Sequence, residues 1–305
     1  MQKNEPKLDM NTILRCTLKL MLLLLATRTL GCAPSVEPPL AVLEIPPQRI
    51  VSTLPSITEV LFDIGLGDRI VGDSSYTKYP PEALTLDKIG GLHDLNCEKI
   101  ISLKPDLIIL STESESLRSS LPVPALIVDH RTLEGVLDSY LVIGAICEAD
   151  ILRTAIKKQQ ELKGKLEEFD TKTKREKPIR TLISIDRSYG TGRIQNLFVA
   201  GANSFLSDVV TRAGGENVAA SIGLLAPMLS AEGIIHLAPD VIIDIQISGL
   251  DSPQSLSDWQ SLGNTVPAVK NHRILTLTED FASIPGPRIP MLIEKIARYF
   301  ETLEL

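Results

Sequence analysis

Arg187-Ser188-Tyr189-Gly190-Thr191-Gly192-Arg193 puts two guanidiniums and a phenol into one short stretch that directly follows a β-branched, apolar run. Arg187, Tyr189 and Arg193 on a loop at the carboxyl end of a strand would suit an anionic chelate, because planar guanidiniums bind carboxylates in paired hydrogen bonds. A loop that is merely solvated would carry the same residues. Ser56 stands at the start of a second candidate, where Ser56 and Glu59 have the spacing of a capping box and the helix start presents backbone N–H groups to an anion. A nucleophilic serine would need a G-x-S-x-G elbow, which is absent, as is a Walker A loop. Gly65-Leu66-Gly67 follows a helix instead of opening one, so it is no dinucleotide fingerprint. His93, His130, His236 and His272 are far apart and form no H-x-H or H-E-x-x-H pair. Spacing therefore gives no metal site, and His93-Asp94 is the pair worth testing.

These residues need a scaffold, and an internal repeat supplies one. Glu98-Lys99-Ile100-Ile101-Ser102-Leu103-Lys104-Pro105-Asp106-Leu107-Ile108-Ile109 returns as Glu232-Gly233-Ile234-Ile235-His236-Leu237-Ala238-Pro239-Asp240-Val241-Ile242-Ile243, identical at eight of its twelve positions. Glu, Pro and Asp in one register carry the signal, and Pro-Asp ends a helix and starts a buried strand. Strands alternate with helical segments on both sides of the chain's midpoint, which implies an α/β class with two similar lobes, each built on a parallel sheet. Residues 48–148 form the N-terminal lobe and 177–305 the C-terminal lobe. Between them, 149–176 read as one long amphipathic helix with Leu152, Ile156, Leu162, Leu166 and Phe169 near one face, or as two shorter helices broken near Gly164. The expected ligand cleft lies between the lobes.

With 305 residues, 44% of them hydrophobic and 23% charged, the chain has the composition of a folded protein and not of a disordered one. The formal net charge is −7, and residues 1–31 are basic (Lys3, Lys7, Arg15, Lys19 and Arg28 against Glu5 and Asp9), so the body is more acidic still. An acidic body with 4% aromatics argues against nucleic acid and anionic lipid as partners. Arg15 and Lys19 precede the apolar run 20–26, which is too short to span a bilayer and has the order of an export signal covering 1–31. Thr29-Leu30-Gly31-Cys32 resembles a bacterial lipobox, with Cys32 as the lipidated residue; simple cleavage to a soluble exported protein is the alternative. The Pro-rich stretch 32–47 then reads as a tether. Cys97 and Cys147 remain, either as a disulfide or as two thiols.

The runs RIVSTLPSITEVLFDIGLGDRIVGDSSYTKYPPEA, GGLHDLNCEKIISLKPDLIIL, VAGANSFLSDVVTRAGGENV, LSAEGIIHLAPDVIID and AVKNHRILTLTEDF resemble the substrate-binding proteins of bacterial ABC importers for cobalamin, ferric siderophores and haem. The resemblance covers essentially everything after the tether. It implies two α/β lobes joined by one long helix, a metal chelate clamped between them with little movement, and no enzymatic activity or cofactor of the protein's own. It also implies a monomer that delivers its ligand to an ABC permease dimer with ATPase subunits, touching the membrane only through its lipid anchor. The family docks through one acidic residue per lobe, and Glu98 and Glu232 occupy those positions. Tyr76 matches the aromatic that cobalamin-binding members place against the corrin, and Asp280 matches a polar contact near the ligand. Leu92, Ser111 and Ala226 stand where that subgroup often carries tryptophan, and Ile284 where an arginine would help. A corrinoid is therefore the favoured ligand and a ferric siderophore the close second. The rival readings are a bare zinc or manganese receptor of similar plan and an exported two-lobed enzyme.

Overall fold

The computed structural model describes residues 45–92, 94–246 and 253–303. The export signal, Cys32, most of the tether and His93 lie outside the described residues.

The N-terminal lobe runs β1 (Ile50–Ser52), α1 (Pro55–Asp63), β2 (Ile70–Gly72), α2 (Cys97–Ser102), β3 (Leu107–Ser111), β4 (Ala125–Val128) and α3 (Leu133–Ala145). Its strands pair in the order β2-β1-β3-β4, all parallel. Every residue of β1 and β3 is buried, as continuous apolar runs in a sheet covered on both faces should be. In α1 the structure departs from the capping box. Pro55 takes the first helical position, where its missing N–H costs nothing, and Leu54 is the N-cap with no side-chain bond. Ser56 is thereby carried one residue into the helix, and both Ser56 and Glu59 are buried and turned to other partners.

The connector is a single helix, α4 (Ala149–Lys172), unbroken at Gly164, where the absent Cβ would meet only open space. At 1.5 Å per residue it is about 36 Å long. Leu152, Ala155, Leu162 and Leu166 form its buried face. Lys158 pairs with Asp63 of the first lobe at 2.9 Å, whereas Arg212 of the second donates to the Leu166 carbonyl at 3.0 Å and pairs with Asp170. One apolar core accordingly runs from Ile50 and Leu61 through Leu162 and Leu166 to Ile293 and Phe300.

The C-terminal lobe contains β5 (Ile179–Asp186), β6 (Leu197–Val199), α5 (Phe205–Arg212), β7 (Gly215–Asn217), β8 (Met228–Leu229), α6 (Ala231–Leu237), β9 (Val241–Ile245), α7 (Pro253–Gln260), α8 (Pro267–Lys270), β10 (Ile274–Leu277) and α9 (Ile289–Glu301). The sheet order is β10-β9-β5-β6-β8, with β7 also beside β5. Here the expectation of two parallel sheets is corrected: β6 is antiparallel to β5, and β8 to β6, so the second sheet is mixed. The connection 187–196 is too short for a crossover, and the chain turns straight back through left-handed Gly190 and Gly192.

The repeat holds at the level of hydrogen bonds. Arg49, just before β1, and Arg180, the second residue of β5, donate to the carbonyls of Leu103 (2.6 Å) and Leu237 (2.7 Å) at the ends of α2 and α6. The Asp106 and Asp240 amides bond back to the carbonyls of the same arginines at 2.9 and 2.8 Å. Lys104 and Ala238, at one register, both take left-handed backbone, with φ of 50° and 43°. Asn96 and Ser230 cap the two helices, accepting from the Lys99 and Gly233 amides at 2.8 and 3.2 Å.

Candidate functional site

The lobes meet through residues that lie just beyond the carboxyl ends of strands, where open α/β sheets place their ligands. On one side Arg288, ahead of α9, reaches across to Glu59 on α1. Its Nε lies 3.1 Å from both Glu59 oxygens, and its Nη1 and Nη2 grip Asp280 at 3.0 and 2.8 Å. The guanidinium also stacks on Tyr79, 4.3 Å from the ring centre. Gly286 backs the contact closely: a Cβ there would sit 2.8 Å from Glu59 Oε2. On the other side the Phe205 amide donates to the Arg131 carbonyl at 2.6 Å, and the Leu133 amide to Asp208 at 3.4 Å. Between these contacts His130 and Ser56, each just past a strand of the first lobe, join Nδ1 to Oγ at 2.9 Å.

Burial sets the electrostatics of this seam. Desolvation raises the Glu59 carboxyl against the opposing pull of Arg288, and Arg288 in turn holds Asp280 below the usual carboxylate range. Burial drops His130 to about 4, so its imidazole is neutral, and its Nε2 makes no hydrogen bond. Ser56 is drawn into this buried pair through its side chain. Its hydroxyl belongs to the His130 pair, and the residue is 2% exposed.

The loop after β2 carries Tyr76. Asp73 is fully buried and pairs with Lys88 at 2.7 Å, the Ser75 amide bonds the Gly90 carbonyl at 2.9 Å, and Asp94 accepts from the Gly91 amide at 2.8 Å. This brace sets the Tyr76 ring close against Gly91: a Cβ on Gly91 would fall 2.4 Å from Tyr76 Cε2. Tyr76 is still 63% exposed. A held but uncovered aromatic is a stacking surface waiting for a partner.

Arg187 does not join it. Its side chain has no exposure and pairs with Asp244 at 3.0 Å and Asp258 at 2.7 Å. Asp244 also accepts from the Trp259 indole N–H and from Gln246, both at 3.0 Å; burial pushes its carboxyl up, but the Arg187 guanidinium, helped by these two donors, outweighs burial and keeps it low. Asp258 accepts from the Gly190 and Gly192 amides at 2.8 and 2.7 Å, which ties the loop down. Tyr189 stacks on Arg187 at 4.4 Å and donates to the Ile245 carbonyl at 3.2 Å; burial pushes its phenol up to about 12. Of the trio, Arg193 is left exposed. The reading of Arg187 as a ligand contact is thus corrected: its charge neutralises two buried carboxylates. Asp244, an acid within the apolar strand Val241-Ile242-Ile243-Asp244-Ile245, was the available signal for that buried cation. Glu59 and Arg288 gave no such signal, because Glu59 fits a cap and Arg288 fits the start of the closing helix.

Among the described residues no group of three or more His, Cys, Asp and Glu side chains could hold a metal ion. His130 is buried beside Ser56, His236 is exposed on α6, and His272 sits in a left-handed turn. Cys97 and Cys147 are not joined by a disulfide. No helix among the described residues is long and apolar enough to cross a membrane.

Two α/β lobes on one long helical strut, tied across their seam by an ion cluster beyond the carboxyl ends of their strands, have the plan of a receptor that holds a solute between its lobes. Residues 50–281 match the family described as Periplasmic binding protein, and the chain belongs to it. The vitamin B12-binding protein of Pectobacterium atrosepticum is 28% identical over 270 residues, covering 85% of this chain and 90% of the relative. The crystal structure of the periplasmic vitamin B12 binding protein BtuF of Vibrio cholerae matches with a TM-score of 0.69 at 25% identity, over 84% of this chain and 98% of that one. The periplasmic heme-binding protein RhuT from Roseiflexus sp. RS-1 matches equally well, with a TM-score of 0.69 at 25% identity over 83% and 98%. The chain is the substrate-binding component of an ABC importer, and not an enzyme.

Proposed function

We propose that this protein captures a metal chelate with a broad, flat face outside the cytoplasm, a corrinoid first and a ferric siderophore second, and hands it to an ABC permease dimer. Tyr76 carries the reading: it is a braced, exposed aromatic on the carboxyl side of β2, and the sequence resemblance matches it to the aromatic that cobalamin-binding members set against the corrin. The pairing of Arg187 with Asp244 and Asp258 favours a corrinoid over an anionic chelate, because it removes one of the two cations that such a chelate would need. Asp280, held low by Arg288, is an acceptor for ligand N–H groups, and Arg193 is the exposed cation of the β5–β6 loop. Glu98 and Glu232, both exposed one residue inside their helices, are the docking carboxylates. Export through 1–31 and a lipid on Cys32 complete the proposal, with 32–47 as tether.

Replacing Tyr76 by Ala should weaken cyanocobalamin and cobinamide by roughly tenfold or more, since a stacked aromatic contributes about 0.5–1.5 kcal/mol beyond the area it covers. Tyr76→Phe should stay near the parent. Gly91→Val, which displaces the ring without removing it, should resemble Tyr76→Ala. Calorimetric titration reads all three variants. Unchanged affinity in Tyr76→Ala would place Tyr76 outside the cleft.

A further inference from the structure

We infer that Ile101 and Ile235 are the apolar contacts by which the two lobes grip one two-fold symmetric membrane dimer; this rests on the docking role proposed for Glu98 and Glu232. The two residues share one register of the repeat, three positions after the two glutamates, and so lie on the same helix face as them. Both are exposed, Ile101 by 45% and Ile235 by 37%, whereas their neighbours Ile100 and Ile234 are fully buried. Each helix thus uses one isoleucine for its lobe and leaves the next one outside.

A single exposed isoleucine on a protein surface is ordinary. The same one at the same register of both lobes is not required by packing, because the flanking positions have drifted: Cys97 corresponds to Ala231, Lys99 to Gly233 and Ser102 to His236. What the two helices keep on their exposed face is a carboxylate and, one turn on, a branched apolar side chain. A partner that engages both lobes must present the complement twice, a cation beside an apolar hollow, as a homodimer does about its axis. Exposed charges mainly set encounter rate and orientation, whereas the lifetime of a complex depends on side chains that lose water at its centre.

The test uses the mature protein and its cognate permease–ATPase complex in lipid nanodiscs, with association and dissociation followed separately at two salt concentrations. Ile101→Ala with Ile235→Ala should speed dissociation by about tenfold or more and leave the salt dependence of association in place. Glu98→Gln with Glu232→Gln should instead slow association and flatten that dependence. Leu84→Ala, at a residue 57% exposed elsewhere on the first lobe, is the control and should change neither. Loss in the glutamate variant with none in the isoleucine variant overturns this inference alone. No effect from either overturns the docking reading with it. Sedimentation of the protein by itself should show a monomer; a dimer dissolved by Ile101→Ala would assign these side chains to a second copy of the chain and overturn the inference too.

Discussion

Arg187→Leu should cost about 3–5 kcal/mol of stability, the range for removing one partner of a buried ion pair. The Asp244 and Asp258 side chains are 1% and 0% exposed, so neither carboxylate gains water when the guanidinium leaves. Asp258 keeps the Gly190 and Gly192 amides and Asp244 keeps the Trp259 and Gln246 donors, but two like charges then share a dry site. Adding Asp244→Asn should recover part of the loss, because it deletes one of those charges. Trp259 is fully buried and bonded to Asp244, so urea unfolding followed by its fluorescence reports on this cluster directly. A loss below about 1 kcal/mol, the range of an exposed pair, would contradict the buried network. A loss of ligand affinity without loss of stability would return Arg187 to the cleft.

Acidification should act through His130. Its imidazole lies at about 4 in the folded protein because burial penalises the cation, against 6.5 when exposed. Between those values the unfolded chain takes up a proton that the folded chain does not, so stability falls as pH falls. The drop from pH 7 to pH 4 amounts to about 3 kcal/mol for this group. Glu59, Asp73 and Asp208, whose carboxyls burial raises, work in the opposite sense over the lower part of the window. The comparison that isolates His130 is therefore with His130→Asn, which has an amide to meet Ser56 and no proton to gain. Denaturant midpoints at several pH values should show the parent losing stability on the acid side faster than the variant. Parallel curves would mean that the imidazole is solvated or charged in the fold.

Much of this molecule is written in local sequence. The twin helix-turn-strand units and the alternation of strands and helices follow from apolar runs and Pro-Asp punctuation, whereas the stretch without proline at 149–176 allows one long helix or two, of which the fold takes one. The mixed second sheet does not, because whether a chain crosses over or turns back depends on the length of a loop whose ends are ambiguous by sequence. The site divides in the same way. Tyr76, Glu98 and Glu232 stand out by register against a family pattern and are exposed on the surface. Arg187 was misplaced, since an arginine in a Gly-rich loop looks solvated until Asp244 and Asp258 come to it from distant parts of the chain. Glu59 and Arg288, 229 positions apart, become partners only when the lobes are set against each other. Pairings of that separation leave no local periodicity to read.

Calorimetric titration of the mature protein with cyanocobalamin, cobinamide, haem, a small set of ferric siderophores and the chloride salts of zinc and manganese tests the central claim most directly. A single saturable site for a corrinoid, with a ferric siderophore next and no heat from the bare metal ions, is the predicted result. Binding of a bare ion with no response to any chelate would contradict it.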